Sequence, residues 1–284
     1  MKLLVIDYSV LCFNIMKDLE NLDLLSKLPW IKEANPDYFK NKDLKSIADQ
    51  FIKLKWIESF YRGPNYVPLE SFTPVLVFDA KPYWRSKLYP DYKGGRPSRP
   101  DTFYSIKSMG ERLGKKLNIP CLSVLSYEAD DIAAGVVKIH ELCKSLDTPT
   151  EAEQTLANAE IMLWTVDSDW HQLITDSVTW YNTGPWEPLV RTQTEAKQWA
   201  KRRLKVDINH PQDIVPIKCQ QGDKSDNLPP GTPAHMIDLW NTHQEYRLLN
   251  SPQFVEDVIK LVEAPRNNVS MLNQVKRELS YFMS

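Results

Sequence analysis

Short apolar runs alternate along the chain with segments in which apolar residues recur at helical spacing. The runs have the length and β-branched content of buried strands, and they occupy residues 2–7, 74–79, 119–125 and 160–166. The helical spacing predicts helices over residues 42–62, 101–117, 127–145 and 194–205. We expect the polar, acidic stretch 147–159 to be a surface loop, and residues 210–284 to form short helices broken by Pro and Gly.

Strands joined by helices predict an α/β fold, a mostly parallel sheet with helices on both faces. We divide the chain into an α/β core over residues 1–205 and a small helical region over residues 206–284 packed on it. Asp7, Asp79 and Asp167 each follow an apolar run. Because ligands of such sheets bind outside the carboxyl ends of the strands, these acids are expected to share one site.

Composition adds few constraints. The 284 residues are 42% hydrophobic and 25% charged, as in ordinary globular proteins, and the net charge of −2 by itself says nothing for or against a polyanionic partner. The four cysteines are scattered singly, which argues against a zinc site or a disulfide framework and favours a reducing compartment. The first run ends at Asp7, so it predicts a strand and not a signal peptide, and no apolar stretch is long enough for a membrane span.

Carboxylates without histidine or cysteine partners are the main candidate for chemistry. Oxygen ligands suit Mg²⁺ or Mn²⁺, and crowded carboxylates repel one another unless a cation neutralises them. Taken singly, each acid is better explained by a structural role such as a helix cap, and for Asp223 and Asp226 an Asx turn and a metal ligand are about equally compatible. Only the combination of acids at one sheet edge favours a metal site. The candidates are Asp7, Asp79, Glu128, Asp130, Asp131, Asp167, Asp169, Asp223 and Asp226.

A basic and aromatic segment follows the second strand. Between residues 81 and 99 six cations stand against the single acid Asp91, with four aromatic residues interleaved. Cations neutralise phosphates and aromatic rings stack on unpaired bases, so this composition is typical of a single-strand contact surface. A solvated basic loop with its aromatic residues packed on the core is the alternative, and for Trp84 and Tyr89 both interpretations stay open.

Several motifs occur in a particular order after Asp7. They are FDAKPYWRSKLYPDYKGGR (78–96), YEADDIAA (127–134), VDSDWHQLI (166–174) and QGDKSDNLP (221–229). The ordered set resembles the 5′-nuclease superfamily, which includes flap endonucleases, the 5′-nuclease domain of bacterial DNA polymerase I and phage 5′–3′ exonucleases. Within it, the Tyr-Trp-Arg after the FD motif is most similar to the ribonuclease H subgroup of T-even-like phages.

The resemblance implies a Mg²⁺-dependent 5′–3′ exonuclease or flap endonuclease that works in DNA replication or repair with two ions, for which Mn²⁺ can substitute. One ion would bind Asp7, Asp79, Glu128 and Asp130, and the other Asp131, Asp167, Asp169 and Asp226, with Asp223 nearby. Lys93 and Arg96 would be catalytic residues that contact the scissile phosphate, Tyr92 would stack on a base, and Arg85 would assist substrate binding. The gateway and arch that carry them would span residues of about 80–110.

The substrate implied is DNA with a 5′ single-stranded flap or end, with RNA–DNA hybrid and hence RNA primers left open. A replication clamp or a single-strand-binding protein would be the recruiting partner. A monomer in the cytoplasm is expected, the host cytoplasm for a phage-encoded protein, with no membrane contact.

The C-terminal continuation departs from the superfamily pattern. Residues 228–236 (LPPGTPAHM) lack the paired glycines that many relatives carry after the GDxSDN motif, which puts a K⁺ or phosphate nest there in doubt. Duplex binding would then fall to other cations, or these cations form only a solvated face. They are Lys218, Lys224, Lys201, Arg202, Arg203 and Lys205.

Three other functions compete with this interpretation. A haloacid-dehalogenase-type phosphatase would need an acid two residues after Asp7, where Ser9 stands. A PIN-type ribonuclease has the same core with fewer acids. A catalytically weak or inactive nucleic-acid-binding relative should have lost some carboxylates, yet none of the motif acids is replaced.

Overall fold

The computed structural model describes residues 1–21, 49, 52–53, 55–57, 72–182, 189–231, 248–264 and 277. The strands within them are β1 (Lys2–Asp7), β2 (Thr73–Val77), β3 (Cys121–Leu122), β4 (Glu160–Trp164), β5 (Val178–Asn182) and β6 (Leu189–Arg191). The α-helices are α1 (Tyr8–Asn21), α2 (Trp84–Leu88), α3 (Asp101–Lys116), α4 (Ala129–Lys144), α5 (Glu151–Ala157), α6 (Gln193–Arg203), α7 (Ile214–Gln221) and α8 (Pro252–Ile259). Short 3₁₀ helices include Ser168–Leu173 and Lys224–Asp226.

The strands form one sheet in the order β3-β2-β1-β4-β5-β6. Every pairing from β3 through β5 is parallel, and only β6 runs antiparallel to β5. The predicted α/β class with a mostly parallel sheet is therefore confirmed. Since the central strands β1, β2 and β4 run in one direction, their carboxyl ends lie at the same edge.

Alternate residues of the strands face two separate cores. Leu3 and Val5 of β1 pack with α4, α5 and α8, whereas Leu4 and Ile6 pack with α1 and α3 on the opposite face. All four side chains are fully buried. A strand buried on both faces needs apolar residues at every position. The sequence of β1 is therefore a continuous apolar run and not an alternation of apolar and polar residues.

The expected loop at 147–159 was wrong, because residues Glu151–Ala157 form helix α5. Thr150 caps this helix: its hydroxyl accepts a hydrogen bond from the Glu153 amide at 3.3 Å, and the Glu153 carboxylate accepts one from the Thr150 amide at 2.7 Å. The T-x-x-E spacing of a capping box outweighed the polar composition.

The strand predicted over 119–125 is shorter in the structure, and two strands were not predicted. β3 contains only Cys121 and Leu122, since Pro120 has no amide hydrogen to donate to a ladder and the chain turns at Ser126, whose φ is 75°. β5 and β6 extend the sheet beyond β4.

Helices α3, α4 and α6 confirm three of the predicted helices within a few residues. The prediction over 42–62 lies largely outside the described residues, and its described positions 49, 52–53 and 55–57 are helical. Phe254 and Val258 of α8 belong to the same core as β1, but the division at residue 205 stays a prediction. Among the described helices, none is both long and apolar enough to cross a membrane.

Candidate active site

The carboxyl edge of the sheet gathers the predicted acids. Asp7 is the last residue of β1, Asp79 comes two residues after β2, and Asp167 comes three residues after β4. The N-terminus of α4 lies beside them, where the Asp79 carboxylate accepts a hydrogen bond from the Ala129 amide at 2.9 Å. The parallel topology thus brings together residues that are up to 160 positions apart in sequence, as Asp7 and Asp167 are.

Asp7 lies at the centre of this group and is only 8% exposed. Its carboxylate accepts hydrogen bonds from the Ser9 amide at 2.9 Å and the Thr165 hydroxyl at 3.0 Å. Burial, followed by the negative charges of Asp79 and Asp167, raises the pKa of Asp7 to about 7. These two donors are too weak to offset the repulsion, so the ionised form of Asp7 needs a further cation.

The ionised forms of Asp130 and Asp167 are destabilised in the same way as that of Asp7. The Asp130 carboxylate accepts a hydrogen bond from the Trp170 indole at 2.7 Å. Burial and the nearby charges of Asp167 and Glu128 raise the pKa of Asp130 well above its ordinary value. Burial also raises the pKa of Asp167, although Lys218 and Lys93 oppose the shift.

Glu128 is in the opposite situation. It is 1% exposed, yet its carboxylate accepts hydrogen bonds from Arg85 at 3.0 Å, from the Tyr92 hydroxyl at 2.6 Å and from the Lys93 ammonium. Burial alone would raise the pKa of Glu128, but the charges of Lys93 and Arg85 outweigh it and the pKa is lowered. Glu128 is therefore ionised and already neutralised by side chains of the basic segment.

The Asp131 side chain points towards Arg85 and not towards the other acids. Its two carboxylate oxygens accept hydrogen bonds from the two terminal nitrogens of Arg85 at 2.7 and 2.8 Å, and the Trp84 indole donates to one of them at 3.2 Å. The Glu128 amide adds a fourth bond at 3.0 Å, which closes the capping box of α4. With no exposed surface, Asp131 stabilises the fold around the site, and its assignment as a metal ligand rests on the family resemblance alone.

Lys93 and Arg96 extend from the basic segment across the acids. Lys93 has a φ of 58°, in the left-handed region, and its amide donates to the Asp226 carbonyl at 2.9 Å. Non-glycine residues rarely adopt this conformation, and here it directs the ammonium at Glu128. The Arg96 guanidinium pairs with the Asp226 carboxylate and donates to the Ser225 carbonyl at 3.0 Å. The Tyr92 hydroxyl lies 3.3 Å from Asp226 as well.

The loop that carries Asp226 is closed by its own backbone. The amides of Asp223 and Leu228 each donate to the other residue's carbonyl at 2.8 Å. Gly222 has a φ of 72°, and a Cβ there would lie 2.5 Å from the Leu228 carbonyl oxygen, so the position requires glycine. The Asp223 carboxylate accepts from the Ser225 amide and hydroxyl at 2.7 and 2.6 Å, as an Asx turn does.

Asp169 contacts a cation of helix α7. Its carboxylate forms a salt bridge with Lys218 of α7, and both side chains are less than one-fifth exposed. The sequence pattern places Lys218 among the residues expected to grip duplex DNA. In the structure its ammonium lies within the acidic group instead.

The acids at the carboxyl edge suit a hard divalent cation, because they offer only carboxylate oxygens as ligands. Burial and mutual repulsion raise the pKa values of three of them, Asp7, Asp130 and Asp167. Within the described residues, no three acidic, histidine or cysteine side chains converge as a ready-made metal cage. Five of the predicted acids are instead paired with cationic side chains, namely Glu128 with Lys93, Asp131 with Arg85, Asp226 with Arg96, Asp169 with Lys218 and Asp79 with Arg99.

Three residues that orient the carboxylates were not predicted from sequence. The Ser9 hydroxyl donates to Asp79 at 3.2 Å, Thr165 donates to Asp7, and Trp170 donates to Asp130. Each stands one to three residues from a motif acid in the sequence. That proximity is the one signal in the sequence, but it does not reveal which acid on another strand or helix the side chain reaches.

Comparison with known proteins finds a family model that matches the middle of the chain. Residues 67–203 match the family described as 5′-3′ exonuclease, N-terminal resolvase-like domain. DNA polymerase I of Chloroflexus aurantiacus is 27% identical over 155 residues and thermostable DNA polymerase I of Thermus aquaticus is 31% identical over 156, in each case over 55% of this chain. A 5′-3′ exonuclease of Buchnera aphidicola is 26% identical over 156 residues, also 55% of the chain. The chain spans 15% and 16% of the length of the two polymerases and 46% of the exonuclease.

Solved structures of a bacteriophage T5 nuclease also align with the whole chain. T5 5′-exonuclease with bound zinc is 19% identical, with 99% of each chain covered and a TM-score of 0.46. The T5 flap endonuclease in a pseudo-enzyme–product complex with DNA and metal ions is 17% identical, with 99% of this chain and 98% of the other covered and a TM-score of 0.48.

Proposed function

We propose that the chain, whose residues 67–203 match the 5′-3′ exonuclease family, is a 5′-nuclease that hydrolyses phosphodiester bonds near the 5′ ends of nucleic acids with the help of divalent cations. One observation carries the proposal: the cations Lys93 and Arg96 lie directly against the acids Glu128 and Asp226 at the carboxyl edge of the sheet. One phosphodiester bond can contact both the acidic group, which would bind the metal ions, and the basic segment, which would bind its phosphate, only if the two lie side by side.

Lys93 and Arg96 would change partners when substrate binds. A phosphate that enters between the basic segment and the acids offers anionic oxygens to both side chains, and a guanidinium binds such oxygens through two parallel hydrogen bonds. Burial lowers the pKa of Lys93, but Glu128 and Asp226 outweigh it and raise the pKa, so the ammonium stays charged. Lys93 and Arg96 then stabilise the charge that accumulates on the phosphate oxygens.

The divalent ions would be held by Asp7, Asp130 and Asp167, whose pKa values are raised, by Asp79 beside them, and by the acids that Lys93, Arg96 and Lys218 release: Glu128, Asp226 and Asp169. Such ions, when bound, activate water as a nucleophile and stabilise the leaving oxygen of a phosphodiester. Asp223 remains near the group. We propose that Asp131 instead holds Arg85, which orients Glu128 and the start of α4.

The substrate that this site fits best is DNA with a 5′ single-stranded flap or end, and RNA–DNA hybrid is a second substrate to test. The names of the curated relatives, 5′-3′ exonuclease and DNA polymerase I, support the assignment. We further propose Mg²⁺ as the ion, 5′-phosphorylated products, a role in replication or repair, and recruitment by a clamp or single-strand-binding protein.

The proposal is tested by incubating the protein with labelled flap DNA, nicked duplex and RNA–DNA hybrid, each with Mg²⁺, with Mn²⁺ and with EDTA. We expect cleavage near the 5′ junction that EDTA abolishes. Binding without cleavage of any of the three substrates in either metal would contradict the proposal and favour an inactive nucleic-acid-binding relative.

The variant Lys93→Ala should reduce single-turnover cleavage by about a hundredfold, because one preorganised charge on the phosphate is removed. Equilibrium binding of the same flap DNA should change by less than about tenfold, since Arg96 still contacts the backbone. Lys116→Ala, which removes an exposed cation at the end of α3, is the matched control and should cleave normally. A near-normal rate in Lys93→Ala would exclude the lysine from the reaction.

A further inference from the structure

Within the part of the chain that the structure describes, several buried polar atoms without a hydrogen-bond partner lie at β5 and β6, at the opposite edge of the sheet from β3. They are His171 Nε2, Trp180 Nε1, Asn182 Oδ1 and both Nε and Nη1 of Arg191. Trp180 and Arg191 face each other in the β5–β6 register, and Asn182 follows Trp180 by two residues, so these three side chains share one face of the sheet. Buried polar groups are nearly always paired in folded proteins, so this concentration of unpaired atoms points to a ligand that supplies the partners.

The unpaired atoms belong to a stack of rings. The His171 ring lies 4.4 Å from the Trp180 ring and 4.4 Å from the ring of Trp199 in α6, and it is nearly parallel to the latter, at 14°. The Arg191 guanidinium lies 5.1 Å from the centre of the Trp180 ring, a cation–π distance. His171 and Trp180 are buried, whereas Arg191 and Trp199 are half-buried. The buried rings therefore hold Arg191 where a ligand at the surface can reach it.

Two more arginines act on Arg191. Burial and the charge of Arg202 lower the pKa of Arg191, and Arg203 adds to the shift, with Glu195 as the opposing charge. The Glu195 carboxylate is already engaged at the start of α6, because it accepts hydrogen bonds from the amide of Thr192 at 2.6 Å and from its hydroxyl. Arg202 and Arg203 are exposed. An anion that joined this arginine cluster, Arg191 with Arg202 and Arg203, would offset their mutual repulsion.

The unpaired atoms also indicate which kind of anion fits. His171 Nδ1 lies 2.7 Å from the Ser168 carbonyl and must donate to it, so Nε2 of the neutral ring is an acceptor. Nε2 of His171 and Oδ1 of Asn182 thus need donors, whereas Trp180 and Arg191 need acceptors. The phosphodiester backbone of DNA offers acceptors alone. An acidic peptide offers both, carboxylates as acceptors and backbone N–H groups as donors.

We propose that the arginine cluster binds an acidic peptide segment of a partner protein, whose carboxylates pair with Arg191, Arg202 and Arg203 and whose backbone supplies the donors. A guanidinium binds a carboxylate through two parallel hydrogen bonds, and arginine and tryptophan are the residues that most often dominate protein–protein affinity. The inference rests on the proposed function in one respect: the segment would belong to a partner that recruits the nuclease to DNA.

Binding is measured with the full chain in EDTA, so that the result does not depend on catalysis. The probes are a short fluorescent oligoglutamate, the matching oligoglutamine and a fluorescent DNA duplex. Arg191→Gln should weaken the oligoglutamate complex at least about tenfold, because a charged hydrogen-bonding group is lost, and should change duplex affinity less than about twofold. Arg112→Ala, an exposed cation on α3, is the matched control and should bind all probes as the wild type does.

The double variant Arg202→Ala/Arg203→Ala changes only exposed side chains, so it tests the cluster without disturbing the ring stack. It should weaken the oligoglutamate complex about 2- to 30-fold, the range of two exposed ion pairs. Oligoglutamate that does not bind, or that binds no better than oligoglutamine, would refute the proposal. Equal weakening of the peptide and duplex complexes in both variants would also overturn it and assign the cluster to the DNA backbone.

The outcome is separable from that of the proposed hydrolysis. If the wild type cleaves no substrate but oligoglutamate binding depends on the arginines, the hydrolysis fails and the docking site stands. If cleavage is found and the variants bind the peptide as the wild type does, the docking site alone is overturned.

Discussion

Replacement of Arg85 by alanine is expected to lower the free energy of unfolding by about 3–5 kcal/mol, the cost of leaving a buried charge without its partner. Arg85 is 3% exposed and holds both Asp131 and Glu128, which are 0% and 1% exposed. Burial lowers the pKa of the guanidinium, but Asp131, Tyr92 and Glu128 outweigh it and raise the pKa well above the ordinary value. Urea denaturation in EDTA, monitored by tryptophan fluorescence, measures the change.

A second variant distinguishes a structural role of Asp131, as the partner of Arg85, from a role as a metal ligand. The double variant Arg85→Met/Asp131→Leu removes both charges and should recover most of the stability, because a buried ion pair replaced by apolar side chains of similar size is often neutral. Lys87→Ala, an exposed cation on α2, is the control and should change stability by less than about 0.5 kcal/mol. A decrease below about 1 kcal/mol in Arg85→Ala would show that Asp131 is not held by this arginine, and its assignment as a metal ligand would gain weight.

The sheet could be predicted from sequence wherever a strand is buried on both faces. Such a strand has no polar positions, and the acid that follows it marks the point where the chain leaves the core, as at Asp7 and Asp79. β5 was not predicted because Thr179 and Asn182 are only half-buried, which interrupts the apolar run. Helix α5 is the converse case, since its composition is that of a loop and only the capping pattern from Thr150 to Glu153 indicates a helix.

The site was predicted as a set of residues but not as a set of contacts. Sequence motifs report which acids are present, and parallel strands explain why Asp7, Asp79 and Asp167 meet. They do not report the direction in which a helix turns each side chain. Asp130 and Asp131 are neighbours in sequence, yet successive residues of a helix point about 100° apart. One therefore faces Trp170 and the acids, whereas the other faces Arg85.

Replacement of Asp7 by asparagine should abolish activity and at the same time stabilise the metal-free protein. The amide keeps the size of the carboxylate and can bond to Ser9 and Thr165, but it carries no charge. If Asp7 is the ligand that we propose, its loss should reduce cleavage about a thousandfold or more, equivalent to ~4 kcal/mol of transition-state stabilisation. Thermal unfolding with increasing Mg²⁺ should raise the melting temperature of the wild type more than that of the variant.

The stabilisation of the Asp7→Asn variant relative to the wild type, measured in EDTA, should increase as the pH rises. The folded state holds the proton of Asp7 up to about pH 7, whereas the unfolded chain releases it near pH 3.8. The wild-type protein therefore loses stability as the pH rises between these values, by up to about 4 kcal/mol from this residue, and the variant does not. The difference in unfolding free energy between the two should be small at pH 4.5 and largest above pH 7. Asp91→Asn, an exposed acid on the basic segment, is the control and should show no such trend. A difference that stays constant from pH 4.5 to 8 would mean that Asp7 is ionised in the metal-free fold, and that the cations of the basic segment already neutralise the whole acidic group.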